Sequence, residues 1–241
     1  FTARYKFAAD DTYPSSEKLY DWELGYQYTA PRLSLGVNLY YMKYKDQLVP
    51  TGMVNDDSNA LNTNVPDSYR RGVELSASWR ATGWFTVGAN ATFSQNRIEN
   101  YVDALKDSPT YGKELGDMTI AYSPDVIANA FLNFHHRGFE AVFHTQHVGK
   151  QYFTNNENDA LSLDAYCVTN LNLAYTFRTR SARSVRLGLL INNLFNAEYE
   201  SNGYGYSYMD TWSGPAPVRI DEAYYFPQAP LNVLANVSVK F

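Results

Sequence analysis

The sequence predicts an all-β fold, an antiparallel transmembrane β-barrel. Three observations point to it. Apolar and polar residues alternate with a period of two over runs long enough to cross a bilayer, about 9–11 residues when tilted. The connections between runs are short and long in alternation, as in a barrel with short turns on one side and long loops on the other. The composition is low in charge, 19%, and rich in aromatic residues, 16%, with 21 Tyr against 13 Phe and 4 Trp. Tyr and Trp combine an apolar body with a polar tip, which suits membrane–water interfaces.

The runs follow in chain order. "LYDWELGYQYT" sets Tyr20, Trp22, Leu24, Tyr26 and Tyr28 against Asp21, Glu23, Gly25 and Gln27. "RLSLGVNLYYM" sets Leu33, Leu35, Val37, Leu39 and Tyr41 against Ser34, Gly36, Asn38 and Tyr40. "SYRRGVELSASWR" and "GWFTVGANATFSQ" place Val73, Leu75, Ala77, Trp79 and then Phe85, Val87, Ala89, Ala91, Phe93 on the apolar face. "DVIANAFLNFHH" alternates less cleanly, and "GFEAVFHTQHV" follows it after a short turn. "VTNLNLAYTFR" and "SVRLGLLINNLF" set Leu171, Leu173, Tyr175, Phe177 and Val185, Leu187, Leu189, Ile191 against small or polar residues. "LNVLANVSVKF" closes the series with Leu231, Val233, Ala235, Val237, Val239 and Phe241 on one face. The total is about nine strands, each too long for an ordinary globular strand of about 5–6 residues. Short links fall at 30–32, 81–83, 136–138 and 179–184, and long ones near 46–67, 98–124, 149–165 and 196–229. The parity places the last strand running inward, with Phe241 at the short-turn rim.

The totals narrow the function classes. Net charge is −5 and the isoelectric point is near 5.4, which argues against nucleic acid as a partner. Mean hydropathy is −0.41 and no 18 consecutive residues are apolar, which excludes a transmembrane helix but not a barrel. Cys167 is the one cysteine, so neither an internal disulfide nor a cysteine metal cluster forms. The chain opens on "FTARYKF" without a signal-peptide pattern. A closed barrel needs an even number of strands, and an open sheet leaves edges that lipid does not tolerate. Either a further strand lies within 1–18 or the nine are the C-terminal part of a larger barrel, and the missing signal-peptide pattern favours the second.

At "LLINNLFNAEYESNGYGYS" the sequence resembles the penultimate strand and last loop of TonB-dependent outer-membrane receptors, through Asn192, Asn193, Leu194, Phe195, Asn196 and Tyr199. "PQAPLNVLANVSVKF" resembles that family's ending, with Leu231 where an Arg is usual. "PDSYRRGVELSASWRATGWFTVGANATFSQNRI" is similar to its outward hairpin, in which Arg-Gly-x-Glu opens a strand, and "EKLYDWELGYQY" to the segment before it. The resemblance implies that residues 1–241 form the C-terminal portion of a barrel of about 22 strands. It implies a plug domain and a TonB box N-terminal to this stretch, neither lying within it. The implied activity is energised uptake of a scarce bulky ligand, such as a ferric siderophore, haem, cobalamin or an oligosaccharide, in the Gram-negative outer membrane. The implied partners are the TonB complex, outer-membrane lipid and the small-molecule ligand. A passive porin-like channel and a soluble carbohydrate-binding β-domain are the alternatives.

No nucleophile–base constellation stands out, so neither catalysis nor a cofactor is expected. His144 and His147 lie three apart on a strand, point to opposite faces and do not share a metal simply. His135 and His136 fall at a turn. Glu23, Arg70, Glu74, Arg80, Glu140, Arg186 and Lys240 fall on the polar face, where a wetted wall of paired charges accounts for them. "NDD" at 55–57 and "NNEND" at 155–159 offer oxygen ligands for calcium, but the same residues are ordinary turn formers. The last long loop is rich in rings. Tyr199 and Phe226, next to strands, suit an interfacial girdle, whereas Tyr204, Tyr206, Tyr208 and Trp212 nearer the tip are the candidate ligand contacts.

Overall fold

The computed structural model describes residues 14–54, 60–106 and 108–241. The strands are β1 (Lys18–Ala30), β2 (Leu33–Val54), β3 (Ala60–Arg80), β4 (Phe85–Ile98), β5 (Met118–Thr119), β6 (Val126–His136), β7 (Phe139–Val148), β8 (Gln151–Tyr152), β9 (Ser162–Leu163), β10 (Tyr166–Phe177), β11 (Ser184–Asn192), β12 (Glu200–Asp210), β13 (Val218–Pro227) and β14 (Asn232–Lys240). Nine of them form one antiparallel sheet in the order β1-β2-β3-β4-β6-β7-β10-β11-β14, with β5 added beside β4. These nine are the runs read from the sequence. Among the described residues, β1 pairs only with β2 and β14 only with β11, so the sheet is open. No helix among them is long and apolar enough to cross a membrane.

The two faces differ as the alternation requires. On one, Leu24, Leu39, Val73 and Phe93 lie side by side in register. Rings mark both margins of this apolar band. Tyr20, Trp22, Tyr41 and Tyr69 stack in a row at the long-loop end, with centroids 5.8–6.3 Å apart. Trp84, Phe85 and Phe134 cluster at the short-turn end. Tyr69 and Trp79 bound the band on β3, ten residues apart. At about 3.3 Å per residue and a tilt near 45°, that separation spans about 23 Å, close to the height of a barrel's lipid-facing band.

The opposite face is polar and internally paired. Asn38 Nδ2 donates to Glu23 at 3.2 Å and to Glu74 at 3.3 Å. Arg186 donates to both oxygens of Glu140, at 2.9 and 2.7 Å. Arg70 donates to Asn96 at 3.2 Å and Ser123 at 2.9 Å. A wet wall of satisfied groups accounts for these residues.

The long connections differ from the expectation. Segment 46–67 reads as a loop, yet β2 and β3 continue through it as a paired extension, reaching Val54 opposite Ala60. Val49, Thr51, Thr63 and Val65 are β-branched and keep the strand favourable past the membrane. Segment 196–229 contains a second hairpin, β12–β13, separate from the main sheet. Asp46 has a positive φ of 56° and lies across from Pro66 in a ladder that resumes at Gln47↔Val65. Beyond this irregularity the strands exchange faces. Gln47 accepts a hydrogen bond from inward-facing Ser68, and Val49 and Val65 pack with Ile98.

Gly72, in the Arg-Gly-x-Glu segment, lies under the Tyr40 ring. A Cβ there would fall 2.4 Å from the Phe93 carbonyl oxygen and 2.7 Å from Tyr40 Oη. Backbone does not yield as a side-chain tip does, and such overpacking costs about 1–3 kcal/mol. Gly72→Ala should lower the fraction of protein migrating as a heat-modifiable folded barrel on gels. Gly83→Ala, where a Cβ meets nothing within 4 Å, should leave it unchanged.

Candidate functional site

Four segments beyond the long-loop ends of the strands pack into a layer. Its first core joins Val49, Val65, Ile98, Tyr101 and Ile120. Its second joins Phe153, Leu161 and Leu163, with Ala223 packed against them. Segment 149–165 links the two. Asn155 is fully buried; its Nδ2 donates to the Pro50 carbonyl at 2.6 Å, and its Oδ1 accepts from Ala121 N at 2.7 Å. Glu157 accepts from Thr119 N at 2.9 Å and pairs with Arg97. Asn158 caps the 3-10 turn at Asp159–Leu161, and Asp159 pairs with Lys150. The oxygens of 155–159 are thus engaged in holding the layer. No group of three His, Cys, Asp or Glu suited to a metal occurs among the described residues. Residues 55–57 lie outside the described residues. His144 and His147 occupy opposite faces of β7, pairing with Phe131 and Ala128 across the ladder.

The Asn-Asn-Leu-Phe-Asn segment fixes the base of the last connection. Asn193 Nδ2 donates to the carbonyls of Ala197 at 2.8 Å and Ala229 at 3.3 Å, one on each arm. Asn196 Oδ1 accepts from Leu231 N at 2.9 Å. Both residues have positive φ, 50° and 52°, a conformation that Asn tolerates better than most residues. From this base rises the β12–β13 hairpin.

The hairpin has one packed face and one open face. Gly203 and Gly205 lie against the Phe153 ring, where added Cβ atoms would come within 2.7 and 2.8 Å of it. Tyr225, on the same side, donates to the Ser162 carbonyl at 3.1 Å. The other face carries Tyr204, Tyr206 and Tyr208 of β12, opposite Tyr224, Glu222 and Ile220 of β13. Tyr204 stacks on Tyr224 at 5.0 Å and lies 6.1 Å from Phe226. Tyr206 lies 6.4 Å from both Tyr208 and Tyr224. The Glu222 carboxylate accepts from three phenols: Tyr206 at 2.6 Å, Tyr224 at 2.9 Å and Tyr208 at 3.2 Å.

These bonds hold Glu222 as an anion, its carboxyl below the usual range, while the carboxylate pushes the Tyr206 phenol up. The result is a row of ring faces around a fixed negative charge. Such a surface stacks on planar or CH-rich groups and accepts hydrogen bonds from a ligand's donors. The structure brings three of the four expected contacts together. Trp212 lies instead in the hairpin tip, 85% exposed, its backbone N–H donating to Asp210 Oδ1 at 2.9 Å. Sequence reading did not single out Glu222, because cross-strand register alone places it among the tyrosines.

Removing the Asn155 amide orphans Pro50 O and Ala121 N, at about 1–3 kcal/mol for each buried group left unpaired. Asn155→Ala should raise hydrogen exchange across 48–53, 118–123 and 149–165 while the strands of the main sheet stay protected. Tyr101 gives a pH signature. Burial, helped by Asp103, pushes its phenol up to about 12 from an unfolded value near 10. Its contribution to stability is therefore complete below pH 10 and lost as pH rises from about 10 to 12. Tyr101→Phe should remove one phenol from the late-titrating part of the tyrosinate absorbance, leaving that of Tyr206 in place.

Comparison with known proteins matches this architecture. The family model described as "TonB dependent receptor-like, beta-barrel" matches residues 7–194. The pesticin receptor of Yersinia enterocolitica is 23% identical over 190 residues, covering 78% of this chain and 26% of that protein. The crystal structure of the ferric yersiniabactin uptake receptor of Yersinia pestis superposes with a TM-score of 0.65 at 20% identity, over 93% of this chain and 30% of that one. The copper transporter OprC gives 0.64 at 20% identity, over 93% and 31%. The ferric-catecholate import receptor of E. coli K12 gives 0.61 at 18%, over 92% and 27%. The chain spans about a third or less of the length of these relatives, and the β12–β13 hairpin lies beyond the family match. With the model covering more than half of its residues, this chain belongs to the TonB-dependent receptor family, in its β-barrel region.

Proposed function

We propose that the chain is the C-terminal portion of an outer-membrane receptor that takes up a scarce, bulky ligand of the ferric-siderophore, haem or cobalamin kind. Uptake is driven by the TonB complex acting on a plug domain N-terminal to these residues. The barrel has about 22 strands, of which these are the last nine. The open face of the β12–β13 hairpin contacts the ligand before it enters the lumen. Tyr204, Tyr206, Tyr208 and Tyr224 supply ring faces, and Glu222 supplies a fixed acceptor. Trp212, at the tip, makes the outermost contact.

The observation that carries this reading is the division of labour within the hairpin. One face is given wholly to packing through Gly203, Gly205 and Tyr225, while five rings and a carboxylate remain on the face turned away from the core. Exposed rings are costly to leave uncovered unless they serve contact, and aromatic residues dominate binding hot spots. The family's receptors for siderophores and metals, named above, support the ligand class.

The test is uptake of radiolabelled ferric siderophores, haem and cobalamin by cells carrying the full-length receptor, with and without a functional TonB. Accumulation of one of them only when TonB is present is the expected result; accumulation regardless of TonB supports a passive channel instead. For that ligand, Tyr206→Ala with Tyr224→Ala should weaken binding about tenfold or more, in line with two hot-spot truncations. Trp212→Ala should cost less.

A further inference from the structure

The open face of the β12–β13 hairpin holds a fixed negative charge and has given away most of its hydroxyl protons. We infer that the ligand group it takes is a cation, an ammonium or guanidinium at the rim of a ferric chelate, and that it turns anionic chelates away. The inference rests on the reading above, in which this face contacts the ligand, and adds the charge of what is contacted.

The hydroxyl protons decide the point. A phenol has one hydrogen to donate and lone pairs with which to accept, and an ionised carboxylate only accepts. Tyr206 and Tyr224 donate their hydrogens to Glu222 Oε2, at 2.6 and 2.9 Å, and Tyr208 donates to Oε1 at 3.2 Å. These four side chains can then offer a ligand lone pairs alone, on the phenol oxygens and on Oε1, which takes a single bond among the described residues. The carboxylate pushes the Tyr206 and Tyr224 phenols up, so the hydrogens stay on the rings and the charge stays on Glu222. Acceptors converging on one negative charge match the N–H groups of an ammonium or the planar fork of a guanidinium. A carboxylate, phosphate or catecholate oxygen meets no hydrogen there and a like charge opposes it.

The rest of the face has the same sign. By register it runs from Asn202↔Phe226 to Asp210↔Val218, and no Lys or Arg stands on it. Asp210 adds a second carboxylate at its far end. The whole connection 196–229 holds five Asp or Glu and one cation, Arg219. Arg219 lies on the packed side, where it donates to Asp221 at 2.8 Å and to Ser207 at 3.0 Å, so it is not available to an anion on the open side. The donors that remain are neutral and marginal: the Asn202 amide and the Tyr204 hydroxyl at the base, and the Trp212 indole at the tip. The exposed Trp212 ring is itself a platform for a cation.

The test uses the full-length receptor in non-ionic detergent and ferric chelates built on hydroxamate, catecholate and carboxylate donors. Each is prepared with a peripheral primary amine, with that amine acetylated, and with it succinylated, so that the forms share an iron centre and differ in charge at one point. Equilibrium dialysis with radioactive iron reads binding. For the donor type that binds, the amine form should bind about tenfold tighter than the acetylated form, the size of one charge-assisted hydrogen bond, and the succinylated form should bind least. Added salt should narrow the difference. Glu222→Gln should erase it by weakening the amine form and sparing the acetylated one, whereas a structural role for Glu222 would weaken all forms alike. Glu222→Asp, which keeps the charge, should retain part of it. Equal binding of the forms, or preference for the succinylated one, overturns the inference; the hairpin contact still stands if Tyr206→Ala with Tyr224→Ala weakens binding. If that double variant binds every form as the native receptor does, the hairpin contact and the inference fall together. Binding of no chelate overturns the inference along with the ferric ligand class.

Discussion

In hydrocarbon, a backbone N–H or C=O without a partner costs several kcal/mol, because no water is present to replace the missing bond. That constraint organises the nine-stranded sheet. It requires long continuous ladders, and β1 pairs with β2 residue for residue from Lys18↔Lys45 to Ala30↔Leu33. It requires turns that spend little chain at the membrane margin, which the links after Ala30 and His136 satisfy. With the backbone consumed in pairing, only side chains remain to distinguish lipid from lumen, and the period of two does so. The paired polar wall of Glu23, Asn38 and Glu74 and the apolar band of Leu24, Leu39 and Val73 are two sides of the same ladder.

Past the rings of Trp22, Tyr41 and Tyr69 the constraint relaxes, since water can satisfy the backbone. There the sheet departs from regularity. Asp46 enters the left-handed region and the extension of β2 and β3 turns Val49 and Val65 toward the interior side. Loops that water would otherwise leave independent are joined by Asn155, whose one amide binds segments 105 and 34 residues away in sequence. A buried amide with both ends satisfied rigidifies what it joins. It thereby sets the platform of Phe153, Leu161 and Leu163 on which the last hairpin rests.

The hairpin converts that support into a surface. Its glycines allow contact with Phe153, which commits one face to the core. The other face then has no choice but to present Tyr204, Tyr206, Tyr208 and Tyr224, and Glu222 orders their hydroxyls by accepting three of them. In the proposed contact with a ligand, a rigid aromatic surface would lose little entropy. On the lipid side, the same register that assembles the apolar band also stacks Arg71, Lys43 and Lys45 in successive rows.

The sequence by itself determined the nine strands of the main sheet, the two faces of each and the short–long order of their connections. These follow from a period of two, a local property that neighbouring residues carry without reference to the rest of the fold. It also named the tyrosines of the last connection and the Asn193 segment. It did not reveal that residues 46–67 and 196–229 contain strand, because alternation there is interrupted by Asp46, Pro50 and Pro66 or diluted by glycine. Nor did it separate Trp212 from Tyr204, Tyr206 and Tyr208, or join Glu222 to them. Those relations depend on which residue of β13 stands opposite which residue of β12, and on Asn155 bringing distant loops together. Only the tertiary structure decides them, since register and long-range contact are properties of pairs of segments and not of either segment alone.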